Sequence, residues 1–158
     1  MIYKKATKDD ILTIAQLRQQ LLIDEGQTPT TDISQEIINF FEHHIERNTT
    51  ILAIDNEEII AMGSLLINWN PPSFTNLNGR YGYIHTFYTK KEYRSRGIAT
   101  RILNMLLDNA KENGITNFML RASKQGELAY KKVGFKADIN STTMFLELAI
   151  VKNLATQI

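Results

Sequence analysis

The stretch Tyr81-Gly82-Tyr83-Ile84-His85-Thr86-Phe87-Tyr88-Thr89, followed after a short spacer by Arg94-Ser95-Arg96-Gly97-Ile98-Ala99-Thr100, decides how this chain is read. The first part is dense in aromatic and β-branched residues, which suit a pleated, half-buried strand. Its alternation would put Tyr81, Tyr83, His85, Phe87 and Thr89 on one face. After the basic turn, Ile98, Ile102, Met105, Leu106 and Ala110 recur at spacings of three and four, the period of one helix face. Arg101, Asn104, Asp108 and Lys111 fill the opposite face. Asn113-Gly114 closes the helix, since glycine suits the position just past a helix end. The segment 81–113 therefore reads as strand, tight turn, helix.

The turn has the makings of an anion site. A helix N-terminus presents unpaired N–H groups and a partial positive charge. Gly97 and Ala99 carry little or no side chain, so a bulky anion can approach the backbone. Arg94 and Arg96 add charge beside it. The alternative is an ordinary strand-to-helix turn with solvated arginines, and the turn alone leaves both open.

The rest of the chain sets bounds. It has 158 residues, 43% of them hydrophobic, enough for one domain with a real core. The formal net charge of +1 gives no large field toward nucleic acid or an acidic membrane. The absence of cysteine removes disulfides, cysteine metal sites and a cysteine nucleophile together. No apolar run is long enough to span a bilayer, and Lys4 and Lys5 interrupt the opening in a way that does not suit a signal peptide. A cytoplasmic protein is the expectation.

Taken in order, Met1 to Ala6 reads as a strand. Thr7 offers an N-cap for a helix reaching about Asp24, and Gly26-Gln27-Thr28-Pro29 breaks it. Thr31 or Asp32 caps a second helix with Ile33, Ile37, Ile38, Phe41 and Ile45 as its buried stripe. Two strands, 48–54 and 58–68, flank a turn at Asp55-Asn56-Glu57. Pro71-Pro72 forces a loop. After the central strand and helix come a brief strand at Thr116 to Leu120, a short helix from Lys124 to Val133 closed by Gly134, and a last strand from Thr142 to Leu148. No repeat or linker is evident. The order predicts a single α/β layered domain over 1–150, with a mixed sheet flanked by helices and a tail over 151–158.

Arg94-Ser95-Arg96-Gly97-Ile98-Ala99 resembles the R/Q-x-x-G-x-G/A signature of the GCN5-related N-acetyltransferases. A second match lies downstream. Ala122-Ser123, Gly126 and Leu128-Ala129-Tyr130-Lys131-Lys132-Val133-Gly134-Phe135 resemble the family's later block, a short helix that carries a Tyr and ends in Gly-Phe. The element order fits over nearly the whole chain. The resemblance implies a mostly antiparallel sheet with a V-shaped splay between central strands, where the pantetheine arm of acetyl-CoA lies. It assigns the pyrophosphate to the loop of Arg94, Ser95, Arg96, Gly97, Ile98, Ala99 and Thr100. It assigns the pantetheine amides to the backbone of Phe87, Tyr88 and Thr89, whose side chains could equally be simple core. Ser123 stands where many relatives place Asn near the cofactor.

By the same resemblance Tyr130 is the catalytic candidate, placed beside the thioester sulfur; the alternative is a core tyrosine. A phenol pKa of about 10 against a thiol of about 8.5 makes full proton donation uphill by roughly 2 kcal/mol, so a strong hydrogen bond to the developing thiolate is the better reading. The base is less clear. An alkylamine of pKa about 10.4 costs roughly 4.6 kcal/mol to deprotonate at pH 7, so some group must help. Some relatives use a Glu on the strand before the phosphate turn, and none occurs between Tyr81 and Lys91. His85 has a useful pKa and is one candidate, with a satisfied sheet histidine as the equal alternative. Glu25, at the break between the first two helices, is another, and a water chain is a third. His43-His44 points in two directions on its helix and makes no joint metal site; no metal is expected. Trp69 could line an acceptor pocket or anchor a loop.

The leading expectation is acetyl transfer from acetyl-CoA to a primary amine of a small molecule or peptide. A catalytically inactive CoA-binding sensor or partner module is the alternative. A nucleic-acid binder built on Arg94 and Arg96 is weak, because no wider basic patch surrounds them. Homodimerisation is expected by family analogy.

Overall fold

β4, Arg80–Thr89, is the fourth strand of a five-stranded sheet of order β1-β2-β3-β4-β5. The computed structural model describes residues 1–124 and 126–147. β1 is Ile2–Lys5, β2 Asn48–Asp55, β3 Glu58–Trp69 and β5 Phe118–Leu120. All neighbouring pairs are antiparallel except β4 with β5, which is parallel. The helices are α1 Ile11–Asp24, α2 Ser34–His43, α3 Ile98–Glu112 and α4 Glu127–Val133.

Local chemistry accounts for most boundaries. The Thr7 N–H donates to Asp10 Oδ2 at 2.9 Å and Lys4 Nζ to Asp10 Oδ1 at 2.8 Å. These bonds fix a 3₁₀ turn over Lys8–Asp10 from which α1 continues. Asp32 Oδ1 accepts from both the N–H and the Oγ of Ser34, which opens α2. Asn56 and Glu57 both take positive φ, 47° and 65°, the geometry that suits a tight turn between twisted antiparallel strands.

Two cores sandwich the sheet. On one face Ile98, Ile102, Leu103, Leu106, Leu107 and Ala110 of α3 pack on Ile51, Ala53, Ile60, Leu65 and Ile84. Leu103 and Leu107 widen the α3 stripe beyond the spacing read from sequence, while Met105 is only partly buried. Each fully buried leucine or isoleucine contributes about 1.5–3 kcal/mol. On the other face Ile11, Ile14, Ala15 and Leu17 of α1 and Ile37 and Phe41 of α2 cover Leu52, Met62 and Tyr88. Because both faces are covered, β3 is buried continuously from Ile60 to Leu66 rather than alternately.

Two expectations are corrected. The first concerns the face of β4. Pairing with β3 passes from Met62 opposite Tyr88 to Ser64 opposite His85. Thr86 and Phe87 therefore stand against Gly63 alone, a β-bulge. Thr86 takes φ of +54°, a conformation that β-branched residues avoid. The bulge reverses the alternation. Tyr83 and His85 stack on the α1/α2 side, with His85 near Phe41, while Phe87 turns into the α3 core. Gly63 makes this possible, since a Cβ there would lie 2.5 Å from Phe87 Cζ.

The second concerns the last strand. Thr142 to Glu147 pairs with no strand among the described residues, and Met144, Phe145 and Leu146 are exposed; Leu148 lies outside the described residues. Alternation supplies a strand only where a partner edge is reached. Here Asp138 accepts from Asn140 N–H and Ser141 Oγ in a local turn just before the segment. α4 also starts later than expected, at Glu127. Gly126 N–H donates to the carbonyl and Oγ of Ser123 and forms a turn first.

Candidate active site

β4 and β5 pair only from Gly82 opposite Phe118 to Ile84 opposite Leu120. β4 then runs on to Thr89 with no strand on that side among the described residues, and the chain after β5 leads to α4. The opening is the V-shaped splay, and a cleft of about 880 Å³ fills it, a size that suits a small-molecule ligand. Phe87, Tyr88, Thr89, Arg94, Ser95, Gly97, Ile98, Ala99, Thr100, Ser123 and Tyr130 line this cleft. Of the residues expected in the site, Arg96 and His85 do not line it.

The phosphate turn forms the floor at one end. Gly97 is the N-cap of α3 with φ of +76°, and Ser95 also takes positive φ, 63°. Gly97 tolerates this conformation without strain. None of the amides of Ser95 to Thr100 donates to a backbone carbonyl among the described residues, and nothing lies within 4 Å of where a Gly97 Cβ would stand. Open amides at a helix N-terminus, with clear space above them, fit a pyrophosphate. Coenzyme A would be held here by its phosphates and along the free edge of β4 by its pantetheine amides.

The two arginines of the turn behave differently. Arg94 Nε donates to Thr89 O at 2.9 Å, and its Nη2 lies 2.8 Å from Asp24 Oδ2 at the end of α1. Lys91 Nζ lies 3.5 Å from the other Asp24 oxygen. Hydrogen bonding from Gln20, with Arg94 and Lys91 beside it, holds the Asp24 carboxyl below the usual range. Arg96 folds back instead: its Nη2 donates to Glu92 O at 2.7 Å and its guanidinium lies over the Tyr93 ring.

Tyr130, on α4, lines the same cleft. Its ring sits edge-on to Phe87, with centroids 6.0 Å apart, and to Phe135 at 6.1 Å. Gly126 leaves space for it, since a Cβ there would be 3.0 Å from the ring. Burial first, and the Glu25 charge second, push the Tyr130 hydroxyl up to about 12. Glu25 also lines the cleft, as C-cap of α1.

His85 is engaged elsewhere. Its Nε2 lies 2.8 Å from Asn48 Oδ1 and its Nδ1 2.8 Å from Thr86 Oγ1. Asn48 and Thr50 are bonded in turn, and Thr50 Oγ1 lies 2.7 Å from Ser64 Oγ. With Asn48 Oδ1 accepting, the proton belongs on Nε2, and Nδ1 accepts from Thr86. Burial, then the Arg18 and His44 charges, lower the ring to about 4. It is a neutral, satisfied histidine inside the sheet. The expected face shared with Phe87 is lost at the bulge.

Sequence reasoning overlooked Asp24. A signal was present: Asp24-Glu25 places two acids at a helix C-terminus, where the dipole disfavours them unless a partner compensates.

The comparisons agree with this geometry. A family model described as Acetyltransferase (GNAT) family matches residues 13–135. N-alpha-acetyltransferase 30 of Schizosaccharomyces pombe is 29% identical over 132 residues, covering 79% of this chain and 84% of that protein. N-alpha-acetyltransferase RimI of Mycobacterium tuberculosis is 25% identical over 132 residues, covering 82% and 75% respectively. A predicted acetyltransferase from Clostridium acetobutylicum, crystallised with acetyl-CoA, matches with a TM-score of 0.86 at 36% identity, over 97% of this chain and 98% of that one. Fold and cleft thus define an acetyl-CoA-dependent N-acetyltransferase. The chain belongs to the GNAT family.

Proposed function

We propose that the protein transfers the acetyl group of acetyl-CoA directly to a primary amine of a small molecule or peptide. The observation that carries this is one cleft lined both by the open turn of Gly97 to Thr100 and by Tyr130 and Glu25. The lack of any cysteine supports direct transfer rather than a thiol-bound acyl enzyme.

Bound acetyl-CoA would supply an activated acyl group. The amides of the phosphate turn and the edge of β4 orient it. Tyr130 keeps its proton, because passing it from a phenol at about 12 to a thiolate near 8.5 is uphill by about 5 kcal/mol. It therefore donates a hydrogen bond to the sulfur as charge develops there. Glu25 attracts the acceptor ammonium and takes its proton, directly or through one water, so that the nitrogen lone pair is free. His85, turned into the sheet and bonded at both nitrogens, is left with a structural role.

Thiol release measured with a panel of amines tests the reading. Initial rates that vary as a ternary-complex mechanism support direct transfer. Ping-pong kinetics, or no thiol release with any amine while acetyl-CoA binds, would overturn it.

A further inference from the structure

One charged side chain on the helix that borders the cleft forms no ion pair among the described residues. Arg18 lies on α1, and Arg18, Leu21 and Glu25 follow one another at i, i+3 and i+7 along a single face of that helix. Leu21 and Glu25 line the cleft. α1 packs against β4 at Tyr88, and the groups that face Arg18 electrostatically are Glu25 on its own element and Tyr83 and His85 on β4. His85 is neutral, so it offers no charge. Arg18 is half-buried, yet it forms no ion pair with any carboxylate among the described residues. Glu25 attracts it without reaching salt-bridge distance. A guanidinium withdrawn from water and left without a partner is unfavourable, and its planar fork of donors matches a carboxylate in two parallel bonds.

We propose that Arg18 is a specificity-determining residue that receives a carboxylate of the acceptor, so that the preferred substrate is a primary amine carrying a carboxylate group. This rests on the transfer reaction proposed above and names the substrate class of the same site. Charge balance supports a monoanion over a phosphate. Glu25 and Arg18 carry one charge each, so a zwitterion satisfies both, its ammonium at Glu25 beside Tyr130 and its carboxylate further along α1. Seven residues of helix separate the two positions by about 10 Å along the axis, a span that the long side chains of Arg18 and Glu25 shorten.

The test compares matched acceptors at saturating acetyl-CoA: free amino acids against their amides, and peptides with Asp against Asn at the second residue. The wild-type protein should favour the carboxylate member of at least one series by roughly tenfold or more in kcat/KM, chiefly through KM. The series that shows the preference tells a free amino acid from an acidic peptide terminus. R18Q should bring that member down to its neutral partner while acetyl-CoA still raises the variant's Tm as it does for the wild type, and R18K should keep part of the preference. Equal or better use of the neutral member in both series by the wild type, or a preference retained by a folded R18Q, would overturn the assignment and leave acetyl transfer standing. No transfer to any amine by a protein that binds acetyl-CoA would instead overturn the proposed reaction, and this inference with it.

Discussion

Arg94 Nη2 lies 2.8 Å from Asp24 Oδ2, seventy residues away in the chain, so the phosphate turn is tied to the end of α1. The Arg94 side of the pair is exposed, so the pair contributes little to stability. Its larger effect would be on the ligand, because Asp24 lines the same cleft and adds a negative charge beside the proposed phosphate site.

Asp24→Asn should therefore tighten acetyl-CoA binding by a few-fold, since it frees Arg94 for phosphate and removes a repulsion. The gain should shrink as salt is raised. Titration calorimetry at two ionic strengths measures both effects. Weaker binding at low salt would show that Asp24 serves to position Arg94 instead.

Gly97 holds φ of +76° with open space beside it. Gly97→Val places a β-branched residue in a left-handed conformation, which costs about 1–2 kcal/mol, and fills the cradle. Gly97→Asn tolerates the backbone but still adds a side chain. Both variants should lose the rise in Tm produced by acetyl-CoA; an unchanged rise would remove the turn from the binding site.

Tyr130→Phe should lower kcat by about 100-fold, in line with the loss of one donor to a developing charge, with acetyl-CoA affinity nearly unchanged. Because the hydroxyl sits at about 12, the wild-type rate profile should show no break near pH 10 from this residue. Stopped assays across pH 6–10.5 check both statements. A kcat equal to the wild type would make Tyr130 a packing residue alone.

His85 links pH to stability. Its ring is held at about 4 in the folded protein, against about 6.5 when unfolded. A depressed folded value means the stabilisation is fully present above pH 6.5 and is lost as pH falls toward 4. About 3 kcal/mol should disappear across that window. Urea melts at pH 7 and pH 4.5 measure it, and His85→Gln should flatten this part of the profile. The same burial means that kcat/KM has no limb near pH 6.5 from His85.

How much was legible depends on the range of the interactions that decide each element. β4, the phosphate turn and α3 could be read because their signals are local: β-branched density, Gly97 at a helix start, and a 3.6-residue stripe. The buried stripe of α2 was legible for the same reason. The bulge at Thr86 was not. Thr is a poor choice for a positive φ, and what permits it is the missing Cβ of Gly63 on the neighbouring strand. The acids Asp24 and Glu25 at a helix C-terminus called for a compensating cation, but nothing local named Arg94, seventy residues away, as that partner. The last strand failed in the opposite direction, since 142–147 has the alternation of a strand but meets no ladder among the described residues.

The reversal at Thr86 sends the odd-numbered side chains of β4 to opposite faces on either side of it. Tyr83 and His85 answer to α1 and α2, whereas Phe87 and Thr89 answer to α3 and the cofactor end. Under the proposed reading, changes upstream of the kink would retune the choice of amine while the contacts to the acyl donor downstream stay in place. One ten-residue strand would thus keep two selective pressures apart, separated by a single misfit peptide.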